Sequence, residues 1–232
     1  MAMRRLTALI ADGESARCQT LGAVLAASGY APVACSDAAS ALRVNATECP
    51  DLVLVDLELP PAGGLALVEA LRRYSEVPLL VLGTDHADAA VVRALDLGAD
   101  DYVALPCASE QVLARIRAVL RRVRRPAEER RRVLVAGDVT VDFVQRRLFR
   151  CGREVPLRPT EWQLLVELAA NAGRLLAHEE LLTRAWGPEY RHDRSYLRVG
   201  IRRLRRKLED DAERPRYIRN VPGRGYVFDP SN

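Results

Sequence analysis

Over roughly the first half of the chain, short continuous apolar runs alternate with longer stretches in which apolar positions recur at helical spacing. The runs at 6–11 (LTALIA), 30–35 (YAPVAC), 52–56 (LVLVD), 78–82 (PLLVL) and 102–105 (YVAL) predict five strands. Between them, residues 15–28, 38–47, 65–73, 86–97 and 109–122 predict five helices, the first stopped at Ser28-Gly29 and the fourth at Gly98. A strand that is apolar at every position has no face for water, so these strands belong to a parallel sheet covered on both sides. The pattern predicts an α/β doubly wound domain, and 2-1-3-4-5, the flavodoxin-like order, is one that such a domain takes. In that order Asp12 and Asp56, which end the first and third strands, meet at the switch point where such folds hold ligands.

After residue 132 the period changes. VLVAGDVTVD, RRLFRCG and EVPL read as four short strands of alternating character, with Gly137 and Gly152 at turns. Residues 159–173 and 178–187 predict two amphipathic helices; Trp162 and Trp186 sit on their inward faces and read as core. Residues 217–228 predict a hairpin turning at Gly223-Arg224-Gly225. Between them lies SYLRVGIRRLRRKLE, Ser195 to Glu209. At about 100° per residue its leucine and isoleucine positions Leu197, Ile201, Leu204 and Leu208 form one stripe. Arg198, Arg202, Arg205 and Arg206 face the other way, with Arg203 and Lys207 at the flanks. Such a face repels itself unless a polyanion lies against it.

Charge sharpens the division. Residues 1–120 carry 9 basic and 15 acidic side chains, and residues 121–232 carry 26 and 16, so a net −6 half adjoins a net +10 half. The second half has the electrostatic footprint of a nucleic-acid binder. The segment 121–132, RRVRRPAEERRR, is almost wholly charged and reads as a solvated connection. The expected division is a domain at 1–122, a linker at 123–132 and a second domain at 133–232. The five scattered cysteines show no zinc spacing and read as small hydrophobes of a reducing cytoplasm. No apolar run is long enough to span a membrane, and neither a Gly-rich phosphate loop nor an acid/base cluster points to an enzyme.

LIADGES, VLVDLELP, GADDYVALP and ARIRAVLRR, in that order, resemble a response-regulator receiver domain. The resemblance implies that Asp56 stands at the phosphoacceptor position, that Tyr102 is the aromatic switch and that Pro106 follows a cis bond. Three positions depart from the family. Gly13 replaces the second acidic residue after the first strand, Gly83 replaces the hydroxyl residue ending the fourth, and Leu105 replaces the lysine before Pro106. Asp12 and Asp56 then offer magnesium a reduced set of ligands, and phosphoryl transfer loses donors it relies on. The expectation is an atypical receiver that works without phosphorylation of Asp56 and needs no cofactor. Two alternatives stand beside it. One is a conventional regulator driven by a histidine kinase; the other is a sensor whose degenerate pocket, lined by Asp12, Gly13, Gly83 and Leu105, has become apolar and holds a small-molecule effector.

The second half carries L-R-P-T-E-W-x-L-L, E-x-L-L-x-x-x-W-G, R-x-L-R-x-K-L-E and G-x-G-Y-x-F, and is similar throughout to the winged helix-turn-helix of the OmpR/PhoB family. The run from WGPEY through SYLRVGIRRLRRKLE resembles the KdpE subgroup in particular. The resemblance implies a third helix lying in the major groove of double-stranded DNA. Position by position it makes Tyr196, Val199, Arg202 and Arg203 base readers, Arg198, Arg205 and Arg206 phosphate contacts, and Arg224 a wing contact. It also implies a homodimer on tandem half-sites, paired through the fourth helix, fifth strand and fifth helix. The ion pairs of that face map onto Asp101 with Arg115 and Asp100 with Arg122. The resemblance further implies that the loop 187–194 is one that can meet RNA polymerase. The chain is thus expected to be a cytoplasmic transcriptional regulator.

Overall fold

The computed structural model describes residues 5–85, 87–124 and 133–230, without the side chains of 122–124. Arg122, expected on the dimer face, and most of the expected linker lie outside the described side chains. The chain divides into two compact units between Leu120 and Arg121.

In the first unit strands β1 (Thr7–Ala11), β2 (Ala31–Cys35), β3 (Leu52–Asp56), β4 (Leu79–Gly83) and β5 (Asp101–Ala104) form one parallel sheet in the order β2-β1-β3-β4-β5. Helices α1 (Ser15–Ala27), α2 (Ala38–Glu48), α3 (Gly64–Arg72), α4 (Asp88–Leu97) and α5 (Ser109–Arg124) complete the alternation. Every residue of β3 and β4 is buried, as expected for strands covered on both faces. One core layer gathers Leu9, Val53, Val55, Leu67 and Val81, and the other Ile10, Leu54, Leu80, Val103 and Ile116. Alternate residues of the same strand thus feed opposite layers. The sheet order brings the carboxyl ends of β1 and β3 side by side and so sets Asp12 next to Asp56.

The second unit opens with a four-stranded antiparallel sheet, β6 (Val133–Ala136), β7 (Val139–Asp142), β8 (Arg147–Arg150) and β9 (Arg153–Val155). Helices α6 (Pro159–Ala170), α7 (His178–Ala185) and α8 (Arg194–Leu208) follow, with a 3-10 turn at Pro188–Tyr190. The hairpin β11 (Ile218–Val221) and β12 (Gly225–Phe228) closes the unit. One strand was not anticipated. β10 (Leu175–Ala177) pairs antiparallel with β12 and makes the hairpin part of a three-stranded sheet in the order β10-β12-β11. Three residues carry too little periodicity to stand out before their partner is known. Trp162, Trp186, Leu197, Ile201, Leu204 and Leu208 are all buried, so the leucine stripe of α8 does seat that helix on the core.

A single carboxylate joins α8 to the hairpin. Glu209, just past the helix end, is buried and accepts from the N–H groups of Arg216, Tyr217 and Ile218 at 2.8, 3.0 and 2.9 Å. A charged acceptor satisfies all three donors in one place. Glu209→Ala leaves buried donors unpaired and is expected to destabilise the second unit by about 3 kcal/mol. Denaturant unfolding of the full chain checks this, with the transition of the first unit unmoved.

Candidate functional site

At the carboxyl end of the parallel sheet the site is built around a residue the motifs did not single out. Arg17 lies in the first turn of α1, and its guanidinium turns back over the strand ends. Its Nε donates to Asp12 Oδ2 at 2.5 Å and its Nη2 to Asp12 Oδ1 at 2.8 Å. The same Nη2 stands 2.7 Å from Asp56 Oδ2, and Nη1 stands 3.1 Å from Glu14 Oε2. Asp12 also accepts from the Glu14 N–H, just before α1, at 2.8 Å. One cation therefore bridges three carboxylates, two of them buried.

The electrostatics follow from that geometry. Its hydrogen bond to Asp12 holds Arg17 more firmly protonated than an ordinary arginine, outweighing the opposing effect of burial; the charges of Asp12, Asp56 and Glu14 add to it. Burial pushes the Asp56 carboxyl above the ordinary carboxylate value, and Arg17 opposes that shift without cancelling it. Magnesium, which the receiver resemblance implied through Asp12 and Asp56, does not fit this arrangement. The guanidinium already spans the two carboxylates, and Gly13 supplies no third ligand. Among the described residues, no group of acidic, histidine or cysteine side chains is arranged to hold a metal.

The two glycines at the site do not open a vacancy, which corrects the expectation of an apolar pocket lined by Gly13 and Gly83. A Cβ on Gly13 would lie 2.7 Å from Pro60 Cδ, so the loop after β3 packs into the space that a side chain would need. A Cβ on Gly83 would lie 2.3 Å from the Tyr102 hydroxyl oxygen. The Tyr102 ring has folded over Gly83, is buried, and donates to the Asp85 carbonyl at 2.7 Å. Leu105 does border open space. A cleft of about 480 Å³ lies beside Arg17, walled by Leu21, Leu105, Pro106 and Val112.

The acidic residues expected on a dimer face are turned into their own unit. Asp100 is buried, where Arg72 Nη2 donates to it at 3.0 Å and the Leu79 N–H at 2.9 Å, so its assignment to that face is corrected. A carboxylate at the turn into β5 is the natural acceptor for the first N–H of the neighbouring β4. Asp101 is likewise buried; it accepts from the Tyr102 N–H and stands 3.7 Å from Arg115 Nη1.

In the second unit α8 sorts its cations by burial. Arg202, Arg198 and Arg206 are exposed, as is Arg194 at the helix start, which the motif comparison passed over. These four recur every fourth residue and form a row about 18 Å long. Arg203 is half-buried. Tyr196 and Val199, expected to read bases, are 6 % and 4 % exposed and belong to the core, Tyr196 lying edge-on to Tyr190 at 5.3 Å. Arg205, expected on phosphates, donates through Nε and Nη2 to the Ile218 carbonyl at 3.0 and 2.7 Å and ties the helix to β11. Lys207 is held by Glu161 at 2.6 Å and by the Pro156 carbonyl at 2.8 Å. Helical angle alone could not separate these roles, because the hairpin and the start of α6 cover one edge of the polar face. Arg224 is exposed at the hairpin tip.

Residues 8–117 match the family described as the response regulator receiver domain, and residues 152–228 that of the C-terminal domain of transcriptional regulatory proteins. The chain is similar to the transcriptional regulatory protein KdpE of Mycobacterium tuberculosis, 41 % identical over 95 % of this chain and 98 % of that one. It is also similar to the KDP operon transcriptional regulatory protein KdpE of Escherichia coli, at 38 % identity over 95 % and 97 % of the two chains. Among solved structures, a RitR mutant shares the fold, with a TM-score of 0.76 at 23 % identity over 97 % of this chain and 99 % of that one.

Each of these contacts carries an expected outcome. Arg17→Gln leaves two buried carboxylates facing each other and lowers stability by about 3 kcal/mol at neutral pH. Adding Asp56→Asn to that variant restores most of the loss. Because the folded Asp56 carboxyl titrates above its unfolded value, its ionisation costs stability as pH rises through the folded value and costs nothing below about pH 4. Asp56→Asn alone therefore stabilises the protein at neutral pH, and the gain fades toward pH 4 in a melting series. In the second unit Arg202→Ala is expected to weaken duplex DNA binding by about 1–3 kcal/mol. Val199→Ala lowers stability and leaves sequence preference unchanged, as read by anisotropy on a panel of duplexes.

Proposed function

The chain belongs to the OmpR/PhoB family of DNA-binding transcriptional response regulators, and from that premise we propose that this member binds its operator with a receiver set in one state without phosphoryl transfer at Asp56. The observation that carries this reading is the Arg17 guanidinium bridging Asp12 and Asp56. Phosphoryl transfer to a carboxylate needs cations aimed at charge that develops on the incoming group. Here the one cation at the site is engaged by resident carboxylates, and Leu105 stands where the family has a lysine. Arg17 supplies permanently the charge neutralisation that a metal ion supplies on demand.

The switch residue supports the same reading. A signal carried by moving an aromatic ring inward has nothing left to move when Tyr102 already lies over Gly83, anchored to the Asp85 carbonyl. Neither contact involves a phosphoryl oxygen, so the inward position does not depend on one. The protein would act in the cytoplasm as a homodimer on tandem half-sites and meet RNA polymerase through the loop before α8. Arg202, Arg198 and Arg206 would enter the major groove, with Arg203 at its edge, and Arg224 would reach the backbone or minor groove. Orientation would come from phosphate contacts and selectivity from arginine pairing with guanine edges.

Fluorescence anisotropy on the promoter of its own gene tests the proposal. Wild type and Asp56→Ala are compared at fixed salt, each with and without magnesium and acetyl phosphate. Four coincident curves are expected. Tightening of the wild type alone on addition of donor would make Asp56 a working acceptor and the chain a kinase-driven regulator.

A further inference from the structure

We propose that the cleft beside Arg17 is a binding site for a small organic cation, an ammonium group carried on a flat apolar body. Its volume, about 480 Å³, lies in the range that takes small organic ligands. Leu21, Leu105, Pro106 and Val112 supply apolar walls from α1, the loop after β5 and α5. Leu105 matters most, because a lysine there would project a charge and a long stem into this space.

The sign of the ligand follows from the charge balance at the inner end. Three carboxylates, Asp12, Glu14 and Asp56, surround the one guanidinium of Arg17; Glu14 and Arg17 border the cleft, and the two aspartates are buried behind them. Four contacts from Arg17, through Nε, Nη1 and twice through Nη2, are already made to them. An anion entering the cleft would compete with three resident carboxylates for a single cation. An ammonium group meets an excess of negative charge instead. Glu14 is its natural partner, since its side chain is 62 % exposed and borders the cleft. Close by, Thr84, which also borders the cleft, donates its hydroxyl to Glu58 Oε1 at 3.2 Å and brings a further carboxylate near. Drawing Glu14 toward the ligand would loosen its hold on Arg17 Nη1 and couple occupancy to the bridge over Asp56. That coupling, and only that, rests on the reading that Asp56 is not a phosphoacceptor.

Isothermal titration of the full chain with three naphthalene probes tests the proposal: 1-naphthylmethylammonium, 1-naphthylmethanol and 1-naphthoate. The apolar body is constant and only the charge changes. The ammonium is expected to bind about tenfold more tightly than the carboxylate, the worth of one partly exposed charge contact together with repulsion of the anion. Glu14→Gln should erase most of that preference while the neutral alcohol binds as before. Leu105→Lys should abolish binding of the ammonium. Thr20→Trp, at an exposed position on the cleft mouth, should do the same without touching the core. Equal or tighter binding of the carboxylate, ammonium binding that survives both Glu14→Gln and Thr20→Trp, or no heat with any probe would each overturn the proposal. Phosphate incorporation at Asp56, measured separately by gel mobility shift, would sink the functional reading above and leave the cleft standing.

Discussion

Two ionised carboxylates side by side at the end of a buried sheet repel each other unless a cation lies between them or one of them takes up a proton. The strand order forces Asp12 and Asp56 into that position, since β1 and β3 are neighbours and run the same way. The cation here is Arg17, covalently part of the chain and therefore always present. Much else at that end of the sheet is consistent with this one substitution. Pro60 fills the place of a side chain at Gly13, and the Tyr102 ring fills the place of one at Gly83. Pro60 and Tyr102 thus close over the ends of β1 and β4. What stays open is the neighbouring cleft, where Leu105 leaves space that a longer side chain would occupy.

The second unit solves an opposite problem with the same tools. Helix α8 carries far more positive charge than a core-facing helix tolerates, and part of it is consumed internally. Lys207 is bound to Glu161 at the start of α6, and Arg205 to the Ile218 carbonyl of β11. Glu209 collects the N–H groups that lead into the hairpin. These contacts hold the helix and the hairpin in a fixed relation, and they leave a single row of arginines facing solvent. A helix so anchored presents its guanidinium groups as a rigid array, and rigidity limits the conformational entropy lost on meeting a nucleic acid.

The two units thus use arginine differently. In the first, the planar fork of Arg17 reaches two carboxylates at once, which a lysine ammonium on its single point could not do with the same geometry. In the second, Arg194, Arg198, Arg202 and Arg206 are exposed along one side of α8. Burial draws the line between the roles. Arg205, half covered, has its pKa lowered by that burial, whereas the exposed row stays in water.

Much of this was legible in the residues themselves. Apolar runs such as LVLVD and PLLVL, alternating with helical spacing, pointed to buried parallel strands covered on both faces, and the order β2-β1-β3-β4-β5 is what brings Asp12 to Asp56. The leucine stripe of α8 and the motifs around it determined a winged helix with a basic outer face. These are properties of period and hydrophobicity, which act locally. Tertiary structure alone decided which polar side chains that face keeps for itself. Tyr196 and Val199 sit at angles that a bare helical wheel assigns to solvent, and the neighbouring chain covers them. Asp100 reads as a dimer-face residue until Arg72 and the Leu79 N–H are found beside it. Arg17 is the clearest case. It looks like any arginine in the first turn of a helix, and its role depends on the reach of a flexible side chain across a sheet edge, a distance that no spacing along the chain encodes.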